Sequence, residues 1–331
     1  TGETYMNDND NHYTLQEIHE QPEAWAEAVQ VVGNQVEALK QLWHAGEFDQ
    51  VIFTGCGSTY YLSLASAALF QKLTGSPARA VPGGELVLNP KMAYPRRGQT
   101  LVVAVSRSGT TTETIQALKN FKEMGRGSAL VVTNYPESPL AGLGDLVVGI
   151  PAGQEQSVAQ TRSFASMFVA TAAISGTLGE REDLVKAMEA LPGFGKRLMA
   201  DYDNLARTLG ENLELDRFYF LGSGTRYGLA CETNLKMKEM TLKRSEPFHF
   251  LEFRHGPMSL VTETTQIIGF ISDSNRSHEA AFLEEMRILG ANVLAMGESD
   301  SDVAFASGLP EDIRDVLYMP VLQLMAYYRS V

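Results

Sequence analysis

The chain has 331 residues and 44% hydrophobic content, enough for two globular domains of ordinary size. Its formal net charge of −13 argues against non-specific binding to nucleic acid or an anionic membrane, though a local pocket can still take an anionic small substrate. Two cysteines, Cys56 and Cys231, give neither a disulfide framework nor zinc spacing, no apolar run reaches membrane-spanning length, and the N-terminus lacks a signal-peptide apolar region; the expectation is a reducing, cytoplasmic setting.

Thr1 to His12 is polar and rich in Asn and Asp, and reads as a disordered tail. From Tyr13 to Trp43 the apolar residues Leu15, Ile18, Trp25, Val29, Val32, Val36, Leu39 and Leu42 recur at helical spacing. Two helices are predicted there, with Pro22 suited to a helix start. Gln50 to Thr54 is the first strand, followed by the turn Gly55 to Thr59 and a helix to about Leu73. Ala78 to Val81 is a short strand closed by Pro82-Gly83-Gly84. Thr100 to Val105 is a strand, with a helix over Thr112 to Met124. Strands follow at Ala129 to Thr133 and Leu146 to Ile150, then a polar loop from Gly153 to Thr161. Arg162 to Leu178 is an apolar helix, and Gly179 to Leu213 a charged helical connector. The second half repeats the logic: strand Phe218 to Leu221, helix Tyr227 to Leu242, strand Gln266 to Ile271, helix Glu279 to Leu289, strand Val293 to Met296, and a final helix over Met319 to Tyr328.

Strands that alternate with helices predict parallel sheets with helices on both faces. An internal repeat sharpens this. Val51-Ile-Phe-Thr-Gly-Cys-Gly-Ser-Thr-Tyr aligns with Phe218-Tyr-Phe-Leu-Gly-Ser-Gly-Thr-Arg-Tyr. The predicted architecture is α/β, with two tandem doubly wound parallel sheets in αβα sandwiches. The predicted boundaries are tail and helices over 1–45, a first domain over 46–185, a connector over 186–212 and a second domain over 213–331.

The helix after Gly224 has an unusual wheel. Leu229, Cys231, Leu235, Met240 and Leu242 define an apolar arc, and Asn234, Lys238 and Thr241 lie opposite. Yet Glu232, Lys236 and Glu239 fall in the middle of the apolar arc, at i, i+4 and i+7. Charges facing a core are costly unless paired or used. Two readings follow: a buried structural ion network, or an acid/base stripe facing a cleft, where desolvation beside a lysine tunes a carboxylate. Downstream, His255 is followed at once by Gly-Pro, so it belongs to a turn or helix end. It is a candidate for proton transfer.

Ser106-Arg107-Ser108-Gly109-Thr110-Thr111 lies between a strand and a helix. Four hydroxyls, a guanidinium and free N–H groups at a helix N-terminus suit a phosphate monoester. Plain N-capping would need one hydroxyl only. No Gly-Lys-Ser/Thr is present, so ATP chemistry is not expected. Neither Gly-x-Gly turn continues to Gly-x-Gly-x-x-Gly, because Tyr60 and Tyr227 occupy the third glycine's place, and dinucleotide binding is not expected. Cys56 reads as pocket wall rather than nucleophile. His12, His19, His44, His249 and His278 have no metal-ligand spacing.

Together these motifs resemble the sugar isomerase (SIS) family, and within it the isomerase half of the glucosamine-6-phosphate synthases, from about Leu15 to the C-terminus. The resemblance implies two SIS domains in tandem, usually as a dimer, with no metal or nucleotide cofactor. It places the family's sugar-contacting turn on Cys56, Gly57, Ser58 and Thr59. The phosphate loop, usually Ser-Gln-Ser-Gly-Glu-Thr, falls on Ser106, Arg107, Ser108 and Thr111, with Arg107 for Gln and Thr110 for Glu as departures. The Gly153 to Thr161 loop matches a segment that touches substrate through Val158 and its neighbours, with Gln160 where Ser is common. The family's Glu-x-x-x-Lys-x-x-Glu helix falls on Glu232, Lys236 and Glu239. Its ring-opening His, which reaches the neighbouring subunit's site, falls on His255.

The sequence holds no glutaminase domain, so release of ammonia from glutamine by this chain alone is not expected. The resemblance implies a C-terminal tail with a Schiff-base lysine beyond Val331; two readings follow, a truncated sequence or chemistry that proceeds without that lysine. The activity implied is a phosphosugar isomerase or deaminase of the glucosamine 6-phosphate/fructose 6-phosphate type, working by proton transfer between C1 and C2. A fructosamine-6-phosphate deglycase uses the same proton shift. A non-catalytic sugar-phosphate sensor would need the phosphate loop but not the acid/base stripe.

Overall fold

The computed structural model of the chain describes residues 8–94 and 97–331, with side chains from Tyr13 onward. The predicted tail over Thr1–Asn7 lies outside the described residues. Asp8–His12, expected to belong to that tail, are helical instead and open the helix Asp8–Gly33. Pro22 does not start a helix but lies inside this one. An internal proline costs about 3 kcal/mol. Full burial of Ile18, Trp25, Ala28 and Val32 along the same helix offsets it. The break falls at Asn34 and Gln35, before the second helix, Val36–Gly46.

The chain forms two compact units. One comprises Gln21–Gln154 and Arg162–Pro192; the other comprises residues 8–20, Glu155–Thr161 and Gly193–Val331. The loop Glu155–Thr161 thus groups with the later unit although both its flanks belong to the earlier one.

The first unit holds β1 (Gln50–Gly55), β2 (Ala78–Pro82), β3 (Thr100–Ser106), β4 (Gly127–Thr133) and β5 (Leu146–Gly149). They are all parallel, in the order β2-β1-β3-β4-β5. Strands buried on both faces read as continuous apolar runs, and β3 is buried at every position. On one face Ile52, Val102, Ala104, Ala129 and Val131 pack with Phe121, Leu118, Leu86 and Tyr94. Helices Ser58–Thr74 and Arg162–Leu178 pack against each other, with the Ser66 and Thr171 hydroxyls 2.7 Å apart between them.

The second unit holds β6 (Arg217–Leu221), β7 (Arg244–Phe248), β8 (Thr265–Phe270), β9 (Asn292–Gly297) and β10 (Val303–Ala304), again all parallel, in the order β10-β9-β8-β6-β7. Counted within each unit, the two orders are the same. Tyr219, Leu221, Ile267, Phe250, Phe253, Phe282 and Met286 make its core. Strands β7 and β10 were not predicted. β7 is an edge strand whose Arg244, Glu246 and Pro247 hide its period, and edges are where proline and charge are tolerated. β10 has two residues, too few to show alternation. The short helices Gly83–Leu88 and Pro90–Ala93 were also missed, behind the Pro82-Gly83-Gly84 stop signal. Among the described residues no helix is long and apolar enough to cross a membrane.

Candidate active site

In a doubly wound sheet, ligands bind outside the carboxyl ends of the strands, where the order reverses. In the first unit that point lies between β1 and β3. The turn after β1 carries Cys56 to Thr59, and the loop after β3 carries Arg107 to Thr111. Gly57 is left-handed, at φ 57° and ψ −124°, and its repeat partner Gly224 has φ 60° and ψ −130°. The Cys56 N–H donates to Thr59 Oγ1 at 2.9 Å, and the Thr59 hydroxyl donates to the Cys56 carbonyl at 3.0 Å. The Thr59 hydroxyl is therefore used to close its own turn. Cys56 Sγ lies 3.5 Å from Thr114 Oγ1, which links this turn to the helix after the second loop.

The second loop is built round a buried serine. Ser106 Oγ accepts the Gly109 N–H at 3.1 Å and lies 3.4 Å from Thr111 Oγ1. Ser108 Oγ accepts the Thr110 N–H at 3.2 Å and lies 2.8 Å from Thr110 Oγ1. The Arg107 carbonyl accepts from the Thr133 hydroxyl at 3.1 Å, which anchors the loop to the end of β4. Thr111 is the N-cap of helix Thr112–Met124 but makes no side-chain capping bond. The hydroxyls here do not serve as a plain cap. First-turn N–H groups are left pointing at the loop, the arrangement that holds an anion. Gly109 has φ 62°, and a Cβ there would sit 1.9 Å from Ser138 Oγ.

In the second unit the charged stripe is buried as its spacing predicts. Lys236 is 1% exposed and Glu232 is fully buried. Lys236 Nζ lies 2.5 Å from Glu239 Oε2 and 3.4 Å from Glu232 Oε1. Glu239 differs: its side chain is 43% exposed. Burial pulls the Lys236 pKa down, but Glu232 and Glu239 outweigh it, with Glu155 adding, and the net direction is upward. Lys236 is thus a fixed cation bridging a buried and an accessible carboxylate. Two wheel positions were misplaced. Asn234 is buried, because Ser245 of the unpredicted β7 packs over it and donates to its carbonyl and Oδ1 at 3.1 and 3.0 Å. Leu242 is 84% exposed, because the helix ends at Thr241 and Leu242 turns left-handed.

A family profile of the SIS domain matches residues 47–175 and 214–311, well over half of the chain. The chain belongs to the SIS domain family. A glutamine–fructose-6-phosphate aminotransferase (isomerizing) of Methanothermobacter thermautotrophicus is 27% identical over 332 residues, which covers 97% of this chain and 55% of that protein. The same-named protein of Thermococcus kodakarensis is 28% identical over 344 residues, 97% of this chain and 55% of the relative. The chain spans about half the length of the curated relatives it matches. Among solved structures, a glucosamine-6-phosphate deaminase from Thermotoga maritima superposes with a TM-score of 0.78 at 27% identity, covering 96% of this chain and 94% of that one. A tagatose-6-phosphate ketose/aldose isomerase from Escherichia coli has a TM-score of 0.86 at 24% identity, over 96% and 92% of the chains, and shares the fold.

Within this SIS chain the two switch points are not equivalent. Ser272, after β8, accepts the Asn275 N–H at 3.0 Å, as Ser106 accepts that of Gly109. But the Ser272 N–H and hydroxyl both donate to Glu279, at 2.6 and 2.8 Å. Both groups there are taken by a carboxylate of the protein's own. Buried Arg226 pairs with Asp315 and Glu311 beside it, at 3.1 and 3.3 Å. Among the described residues no carboxylate accepts from Ser106 or Ser108 in the first unit's loop.

The segment Glu155–Thr161 is held within the second unit. Glu17 accepts the Gln156 N–H at 2.6 Å and the Ser157 hydroxyl. Gln323 Nε2 donates to the Thr161 carbonyl at 3.3 Å, and Ala159 packs with Met240 and Ala326. Val158 is 67% exposed at its apex, and Gln160 is half-buried. Glu155 accepts from the Thr161 N–H and hydroxyl at 2.7 and 3.0 Å, and its charge acts on Lys236. Sequence reasoning did not single out Glu155, because nothing in linear order links it to a helix some eighty residues away. His255 caps a short 3-10 helix, Leu251–Arg254, as its Gly-Pro suffix predicts. It is exposed and makes no hydrogen bond or ion pair with the Glu232–Lys236–Glu239 cluster.

Proposed function

We propose that this chain is an aldose–ketose phosphosugar isomerase or aminosugar-phosphate deaminase that interconverts an amino-sugar phosphate and a ketose phosphate of the glucosamine 6-phosphate/fructose 6-phosphate type. The observation that carries the reading is the cluster of Lys236 buried between Glu232 and accessible Glu239. A sugar-phosphate sensor has no need of two desolvated charges. The relatives' names, which speak of glucosamine 6-phosphate, fructose 6-phosphate and ketose/aldose isomerisation, support the substrate class.

In this reading Ser106, Ser108 and Thr111 hold the phosphate, with Arg107 beside them and the N–H groups of the helix start behind. Cys56, Gly57, Ser58, Val158 and Gln160 contact the sugar, and Thr59 shapes its turn. Glu239 takes the proton from one carbon and returns it to the other through an enediol or enolamine, so no net proton is consumed in that shift; with the amino sugar, water then adds to the resulting C2 imine, the C–N bond breaks and ammonia leaves with the ketose formed. Lys236 stays charged and orients Glu239 through their ion pair, with Glu232 and Glu155 also balancing the ammonium. His255 assists ring opening across a homodimer interface.

Incubation of the purified chain with glucosamine 6-phosphate, followed for both ammonia and fructose 6-phosphate, tests this. Release of both supports the deaminase reading. If no turnover occurs while the ligand still raises the melting temperature, the sensor reading replaces it. Turnover of a fructosamine 6-phosphate in place of glucosamine 6-phosphate favours a deglycase. Glu239→Gln should abolish turnover, by a factor of at least about 10²–10⁴ for loss of a general base. It should leave phosphate-dependent stabilisation intact. An active Glu239→Gln enzyme would remove Glu239 from the catalytic role.

A further inference from the structure

A second cluster of cations lies at the opposite end of the second sheet from its ligand-binding edge. β6 and β7 pair in parallel with Arg217 beside Arg244 and Tyr219 beside Glu246. Residues two apart on a strand share a face, so all four side chains stand on one face at the amino ends of these strands. Lys238 joins them from helix Thr225–Thr241. Together they line a cavity of about 470 Å³, the size of a small-metabolite site.

Three cations meet one carboxylate here, on a chain whose net charge is −13. Like charges at paired strand positions destabilise a sheet unless something neutralises them. Among the described residues none of Arg217, Lys238 and Arg244 makes an ion pair; Arg217 Nη1 donates to the Leu260 carbonyl at 2.9 Å, which fixes its guanidinium at the cavity wall. Behind them stands Tyr219, 1% exposed, its hydroxyl beside the Arg217 guanidinium. A phenol oxygen can accept a guanidinium N–H and still give its own O–H to an anion. Fork-shaped guanidinium donors, an ammonium and a phenol O–H together match the oxygens of a phosphate group.

We infer that this cavity binds a phosphorylated small molecule, at a site separate from the Ser106 loop and independent of the proposed reaction. The test uses the full-length chain at low ionic strength, with inorganic phosphate as the probe and its binding read by calorimetry or phosphorus NMR. Ser106→Ala/Ser108→Ala removes the first-unit loop from the measurement, and residual phosphate binding should persist. Adding Lys238→Gln and Arg244→Gln, both at exposed positions, should weaken that residual binding at least tenfold with no loss of melting temperature. Tyr219→Phe should weaken it too. Absence of residual binding in the loop variant overturns the proposal, as does residual binding indifferent to Lys238→Gln/Arg244→Gln. Ammonia release from glucosamine 6-phosphate, measured separately, reports on the other site alone.

Discussion

At the scale of single residues, the chemistry concentrates on Lys236. A buried ammonium survives only because two carboxylates reach it. Removing it takes the ammonium from Glu232, which is fully buried. Lys236→Met should therefore cost about 3–5 kcal/mol, the usual penalty for an uncompensated buried charge. The double variant Lys236→Met/Glu232→Gln should recover most of that loss in urea unfolding. If the single variant is as stable as the parent, the cluster carries no buried charge. The stripe's burial was legible in the sequence, since three charges on an apolar arc must be paired or used. What each does was not: the exposure of Glu239 against the burial of Glu232 depends on what covers the helix end, including a strand whose period is hidden.

At the scale of elements, the loop after β3 shows how backbone and side chains cooperate. Gly109 adopts φ 62°, and its Cα faces Ser138 closely enough that any Cβ collides. Gly109→Ala should destabilise by about 1–3 kcal/mol from the left-handed backbone alone, with the clash added. It should also abolish the stabilisation that phosphate confers through this loop. Adding Ser138→Ala should relieve the clash but not the backbone strain, so thermal unfolding should recover only in part. Full recovery would show that φ carries no cost there. The loop's composition predicts an anion site. The lack of a side-chain cap at Thr111, and the anchoring of the Arg107 carbonyl by Thr133, required the neighbouring strand to be in place.

At the scale of the whole molecule, stability at alkaline pH sums over groups whose protons the fold retains. Burial pushes the Cys231 thiol from 9.0 up to about 12, and the Lys236 pKa also lies above its ordinary value. For both, the folded state binds its proton more tightly than the unfolded chain does. Their stabilisation is fully present below the unfolded pKa and is lost as pH rises through the folded one. The melting temperature should hold up to about pH 9 and then fall, with the Cys231 part spent by about pH 12. Cys231→Ala should flatten the first part of that fall relative to the parent. An equal slope in the variant would show that Cys231 ionises alike in both states.

Several features were determined by the sequence alone. Alternating apolar runs and helical periods specify parallel α/β sheets, because only that arrangement buries strands on both faces. The Gly-x-Gly repeat specifies two such sheets, and the same strand order in both follows from it. The i, i+4, i+7 charges specify a buried ion cluster. Tertiary structure alone decided which of two similar serines meets a carboxylate. Ser106 and Ser272 look alike in linear order, and only folding brings Glu279 onto the second. It likewise decided that Glu155 bears on Lys236, and that Arg217, Arg244 and Lys238 line one cavity with Tyr219. The physical reason is the same in each case. Periodicity reports which face a residue occupies, whereas charge and hydrogen-bond complementarity depend on distant segments, and those distances are set only when the sheets close.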